Sequence, residues 1–195
     1  MPPKKKLTKK AIIYCAFARL RREGYESLNA RALATELGCS TMPLFHHFGS
    51  MEEIRSAAVE RAIALYSGYI HQGLAEPIPF KGVGKAYIRF AREEPQLFRL
   101  LFMMPDGAIP ELKTGDPNYS AVAVSAQISL GSTAEQAERI YREMWIFVHG
   151  IATLAVTGTT SFTDEEISTM ASDVFAGLKL REQLTNENKE KKEDG

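Results

Sequence analysis

Residues 40–47, STMPLFHH, hold the side chains of this chain that are best suited to chemistry on a nucleic acid. Thr41, Met42, Pro43 and His46 are candidates for base edges. A threonine hydroxyl can hydrogen-bond a base, and its methyl group, with Met42 and Pro43, can pack on thymine methyls. Ser40 and His47 suit phosphate oxygens, and Asn29, Arg31 and Phe45 are counted with the same DNA-facing set. The segment has no Arg, Asn or Gln for a bidentate base contact, so specificity must rest partly on DNA shape and on apolar contacts. At least one of the two histidines is expected to touch DNA. The plain alternative for His47 is a packed, hydrogen-bonded helix residue.

Two short helices must position these groups. Asn29 is a good N-cap for a first helix whose apolar residues Ala30, Leu33, Ala34 and Leu37 recur at i, i+3, i+4 and i+7. Gly38 stands where a left-handed residue is wanted at the helix end. Ser40 is the expected cap of a second helix, with Pro43 early enough to be tolerated and Leu44 and Phe48 on its inner face. A short helix, a glycine turn and a second helix with small and polar residues at its start make a helix-turn-helix. The second helix of such a unit enters the DNA major groove.

Charge agrees once it is divided. The whole chain balances 24 basic against 24 acidic residues, but residues 1–50 hold nine basic and three acidic ones. The surplus around the helix-turn-helix is the footprint of phosphate contact. The two cysteines, Cys15 and Cys39, cannot build a disulfide framework, and no Cys/His cluster has metal-ligand spacing. No metal or cofactor is implied. With no apolar N-terminal leader and no apolar run long enough to span a bilayer, a cytoplasmic protein is expected.

The rest of the chain reads as all-α, about nine helices in total. Thr8 can cap a first helix to Glu23, closed by Gly24, and Ser50 with Glu53 forms a capping box that opens a long helix from Met51 to Gly73. Further helices are expected over Lys81–Glu94, from Pro95 through Phe102, and over Tyr119–Leu130. A long one opens at Ser132 with Glu135 and runs to Thr157, and a last one opens at Thr163 with Glu166 and runs to Leu184. Residues 105–118 are the most loop-like interior stretch. The expected organisation is a DNA-binding domain over 1–50, a helical regulatory and dimerisation domain over 51–184, and a disordered tail over 185–195.

A second group of residues lies in that larger half. Trp145 and His149 share a helix face, and with Tyr87, Phe98, Phe102 and Met103 they are candidates to line a small-molecule pocket. The packing alternative, Trp145 filling core and His149 satisfied by its neighbours, is favoured for this pair. The last two long helices carry more apolar surface than one small domain needs. Phe147, Ile151 and Leu154 on one, with Met170, Val174 and Leu178 on the other, are the expected dimer interface.

These residues resemble the tetracycline-repressor (TetR) family of one-component transcriptional regulators. The resemblance is carried by Leu20, Gly24 and Tyr25, by Leu33-Ala34, by Gly38-Cys39-Ser40, and by Leu44-Phe45, His47-Phe48 and Ser50. Two residues depart from the family pattern: Phe45 stands where a tyrosine usually reaches a phosphate, and Met51 where a lysine usually opens the next helix. Both changes should lower affinity and flatten its salt dependence, which the Lys4–Lys10 arm can offset. Trp145, His149 and Gly150, with the stretch around Tyr87 and Phe98, are similar to the subgroup whose regulatory domain is named for Trp, His and Gly. The resemblance implies a homodimer, its last two helices forming a four-helix bundle with the partner's. It also implies a repressor that leaves a pseudo-palindromic operator when a small-molecule effector binds. The alternative is a small-molecule-sequestering protein of the same fold with weakened DNA binding. A helical enzyme built on His149 lacks a nucleophile, carboxylate pair or metal set nearby in sequence, so no enzymatic activity is expected.

Overall fold

The computed structural model describes residues 7–104, 109 and 112–193. Among the described residues the secondary structure is entirely helical: α1 (Lys9–Glu23), α2 (Ala30–Glu36), α3 (Met42–His47), α4 (Met51–Leu74), α5 (Pro79–Glu93), α6 (Pro95–Phe98), α7 (Leu112–Gly115), α8 (Tyr119–Leu130), α9 (Ala134–Thr157) and α10 (Asp164–Glu193). A 3-10 turn over Tyr25–Ser27 links α1 to α2, and a π turn over Arg99–Met103 extends α6. The nine expected helices are present. The tenth segment, α7, is a single turn inside the stretch read as loop.

The described residues form two compact units, one within Met1–Tyr66 and Glu94–Glu111, the other within Ser67–Glu93 and Leu112–Gly195. In the first unit α1, α2 and α3 close over Ile12, Ala16, Leu20, Leu33 and Leu44, joined by Ile54 of α4 and by Leu97, Phe98 and Leu101; all are fully buried. The Thr8 hydroxyl accepts from the Ala11 N–H at 3.1 Å, and Asn29 Oδ1 accepts from the Ala32 N–H at 3.0 Å, so both expected caps form. Gly38 has φ +66°, the left-handed conformation that turns the chain from α2 toward α3.

The cap of α3 differs from expectation. The helix begins at Met42 behind Thr41, and no side chain caps it. Pro43 is the reason, since it has no N–H to give to a capping hydroxyl, and the next donor, Leu44 N–H, bonds the Thr41 carbonyl at 3.1 Å. The box of α9 is likewise one residue later than expected. The sequence S-T-A-E-Q contains two overlapping boxes, and the extended backbone at Thr133 selects the second, with Thr133 and Gln136 bonding each other reciprocally.

In the second unit α9 packs along α5, α8 and α10. Phe80, Val83, Tyr87 and Phe90 of α5 meet Ile140, Tyr141, Met144, Val148 and Ala152 of α9 in a buried core with Val122 and Ala126 of α8. Gly73 and Gly82 bring the end of α4 against the start of α5: a Cβ on Gly73 would lie 2.6 Å from the Gly82 carbonyl oxygen. Helix α10 runs to Glu193 rather than stopping at Leu184. Residues 178–193 contain no Gly or Pro and are rich in Lys, Glu and Gln, so charge alone does not end the helix. No helix among the described residues is long and apolar enough to cross a membrane.

Candidate nucleic-acid interface

Helix α3 is held to the first unit by Leu44 and by Phe48 just beyond it, both buried. That anchorage turns Met42, Phe45 and His46 outward at i, i+3 and i+4. Met42 is 69% exposed and Phe45 43%. Ser40 and His46 are exposed, and Thr41 and Pro43 are half-buried at the helix start.

Two expected DNA-facing side chains are engaged within the chain. Asn29 caps α2 with its carbonyl and donates from its amide to Ser27 O at 3.3 Å. His47 Nε2 donates to the Leu7 carbonyl oxygen at 3.0 Å. His47 thereby ties the segment before α1 to the end of α3. Arg31 is exposed on α2.

The basic surplus of the sequence is narrower in three dimensions. Arg19 and Arg22 of α1 pair with Glu23 and Glu36, which holds the Glu36 carboxyl below the usual range. Arg21 pairs with the buried Glu94. Lys9 sits over the Phe48 ring, 4.8 Å from its centroid, and Lys10 is exposed beside it. Lys4–Lys6 of the arm lie outside the described residues.

Three of the six candidate pocket residues come together in the second unit. The Tyr87 hydroxyl and His149 Nδ1 share a hydrogen bond at 2.8 Å, and the His149 ring stacks on Trp145 at 4.8 Å between centroids. Burial pushes the Tyr87 phenol well above its ordinary pKa and lowers that of His149, so both are neutral at pH 7. The Trp145 indole N–H is buried and meets no hydrogen-bond partner among the described residues. It still lies close enough to the Tyr87 oxygen to favour that group's ionised form.

Phe98 and Phe102 belong to the first unit, where Phe102 stands edge-on to Tyr66 at 5.2 Å and Phe98 tilts against Phe102 at 5.2 Å. Phe98 is fully buried and Met103 is 36% exposed.

Sequence reading missed the polar residues around Tyr87. Asp116, Asn118 and Tyr141 are buried in the same unit, and Asp116 Oδ1 accepts from the Asn118 N–H at 2.8 Å and from its amide at 3.0 Å. The Asp116 charge raises the phenol pKa values of both Tyr87 and Tyr141, second only to burial. Asp-Pro-Asn in a proline-rich stretch reads as a surface turn, and the contact that buries it is distant in sequence.

Of the six expected interface residues, Ile151 is buried in its own unit, because it falls on the face with Val148 and Ala152. Leu154 is exposed, and Phe147, Met170, Val174 and Leu178 are half-buried. Ile146, Leu180 and Leu184 add exposed apolar surface to α9 and α10.

Against this geometry the comparisons are specific. Residues 12–58 match the bacterial regulatory proteins of the tetR family, and residues 80–176 match the tetracyclin repressor-like C-terminal domain. An uncharacterized HTH-type transcriptional regulator of Mycobacterium tuberculosis is 30% identical over 182 residues, covering 90% of this chain and 84% of that protein. The chain belongs to the tetR family of DNA-binding bacterial transcriptional regulators.

Proposed function

We propose that the chain is a homodimeric repressor that binds a pseudo-palindromic operator and leaves it when a small molecule binds. The observation that carries this reading is the outward face of α3, presented by a helix-turn-helix whose own core is complete. A twofold dimer through α9 and α10 would set two such helices about 34–36 Å apart, one turn of DNA. As a regulator of DNA it works in the cytoplasm. Tyr87, Trp145 and His149 are the proposed effector contacts in a regulatory half of the Trp-His-Gly type. Effector binding would favour the conformation that fits the half-sites less well.

The test is selection from a random duplex library, with sedimentation of the protein alone and on the selected duplex. An enriched palindrome bound by two chains supports the reading, and absence of any enriched sequence overturns it. Trp145 is the chain's one tryptophan, so its emission reports occupancy of the proposed effector site when small molecules are screened.

A sequestering protein of the same fold is the second reading. It is favoured by the loss of phosphate ligands at Phe45 and Met51 and by the internal pairing of Arg19, Arg21 and Arg22. Ligand-dependent Trp145 emission without an enriched duplex would establish it.

A further inference from the structure

The outward face of α3 has an unusual chemistry for a surface that reads DNA. Met42 and Phe45 are its two large side chains, both exposed and neither able to donate or accept a strong hydrogen bond. Their neighbours do not make up the difference. Thr41 is half-buried at the helix start, Pro43 has no donor, and the Nε2 proton of His47 goes to the Leu7 carbonyl. His46 is the one outward polar side chain between Met42 and His47.

Exposed large apolar side chains cost solubility, and Leu44 and Phe48 are the residues that anchor α3 in this unit. In the major groove the apolar feature on a base pair is the C5-methyl group of thymine. It is absent from C, G and A, so an apolar side chain can use it to tell bases apart.

We infer that α3 reads its operator chiefly through thymine 5-methyl groups, with Met42 and Phe45 as the reading residues and His46 supplying a polar contact. The inference rests on the DNA-binding reading above and adds what that reading leaves open, the chemical feature recognised in each half-site. Met42, unbranched and polarizable, adapts to the methyl it meets, and Phe45 offers a flat ring one turn along. Both act by excluding water from the methyl group, so this recognition should depend weakly on salt while phosphate binding depends on it strongly.

The experiment takes the duplex enriched from the random library and replaces each thymine in turn with deoxyuridine, which removes the methyl and nothing else. At the thymines facing α3, affinity should fall roughly fourfold per methyl, the factor that one lost buried methyl implies. Met42→Ala and Phe45→Ala should each weaken binding to the thymine duplex. Each should also bring the thymine-to-uracil ratio at its own position toward one, a change that a loss of stability alone would not produce. A ratio near one at every position in the wild-type protein overturns the inference, as does a ratio that neither substitution changes. In both cases an enriched duplex would still stand, so failure here is distinct from failure of the DNA-binding reading.

Discussion

Arg21 and Glu94, 73 residues apart in sequence, form a two-point ion pair in the first unit. The Arg21 Nε donates to one carboxylate oxygen at 2.5 Å while Nη2 meets the other. The carboxylate is almost wholly buried at the start of α6, and the guanidinium reaches it from the last turn of α1. Arg21→Ala would leave a buried charge without its partner and should cost about 2–3 kcal/mol in urea unfolding, since hydrogen bonds to buried charged groups are of that order. Arg21→Ala with Glu94→Leu should recover most of the loss. A double variant no more stable than Arg21→Ala would count against the pair as the cause.

His149 gives the second unit a pH dependence of defined sign. Burial lowers its pKa from the ordinary 6.5, so the unfolded chain takes up the proton more readily than the folded one. Stability from this group is therefore complete above about pH 6.5 and declines as pH falls from there toward the folded-state pKa. Protonation would also leave His149 Nδ1 able only to donate in its hydrogen bond with the Tyr87 hydroxyl. The melting temperature should fall between pH 7 and pH 5, and His149→Gln should flatten that slope. An unchanged slope in the variant would assign the dependence to other groups.

Glycine in a helix interior usually gains stability on replacement by alanine, which makes Gly73 a sharp test of packing. A Cβ there would strike the backbone of Gly82, so Gly73→Ala should cost about 1–3 kcal/mol through forced displacement of α5. Gly68→Ala in the same helix meets nothing within 4 Å and should be neutral or stabilising by about 0.5–1 kcal/mol. Thermal unfolding of the two variants side by side decides it, and equal effects would contradict the close approach.

Phosphate binding should be traceable to few residues, because Arg19, Arg21 and Arg22 are neutralised within the chain. Lys10→Ala and Arg31→Ala should each weaken binding to all duplexes alike and reduce the salt slope by about one. Arg22→Ala should leave the slope unchanged. Titrations at several salt concentrations check this, and a slope that drops with Arg22→Ala would show that its pairing opens on DNA.

Much of the fold was legible because helix ends announce themselves chemically. Thr8, Asn29 and Thr163 each sit where a side-chain oxygen or its reciprocal glutamate meets free backbone N–H groups. The misplaced starts of α3 and α9 came from competition that residue types alone do not resolve, a proline without a donor and two overlapping boxes. Met42, His46 and His47 could be placed outward from the spacing of Leu44 and Phe48, whereas Thr41 is half-buried. The pairing of the α1 arginines and the burial of Asp116 beside Tyr87 could not, because each depends on residues far apart in sequence. Charge counted along a chain overstates what a surface offers when its opposite partners arrive from elsewhere in the fold.

The π turn at Arg99–Met103 closes with the Met104 N–H on the Arg99 carbonyl, five residues back, at 3.1 Å. It therefore holds one residue more than an α-helical turn, and that residue is slack in the length of the chain. Losing it would let the turn tighten to α geometry, with the residue that now bonds five places back taking the place of one four back, so the residues on either side would keep their orientation. This turn is thus a place where the chain could lose a single residue without breaking or redirecting the segment that follows.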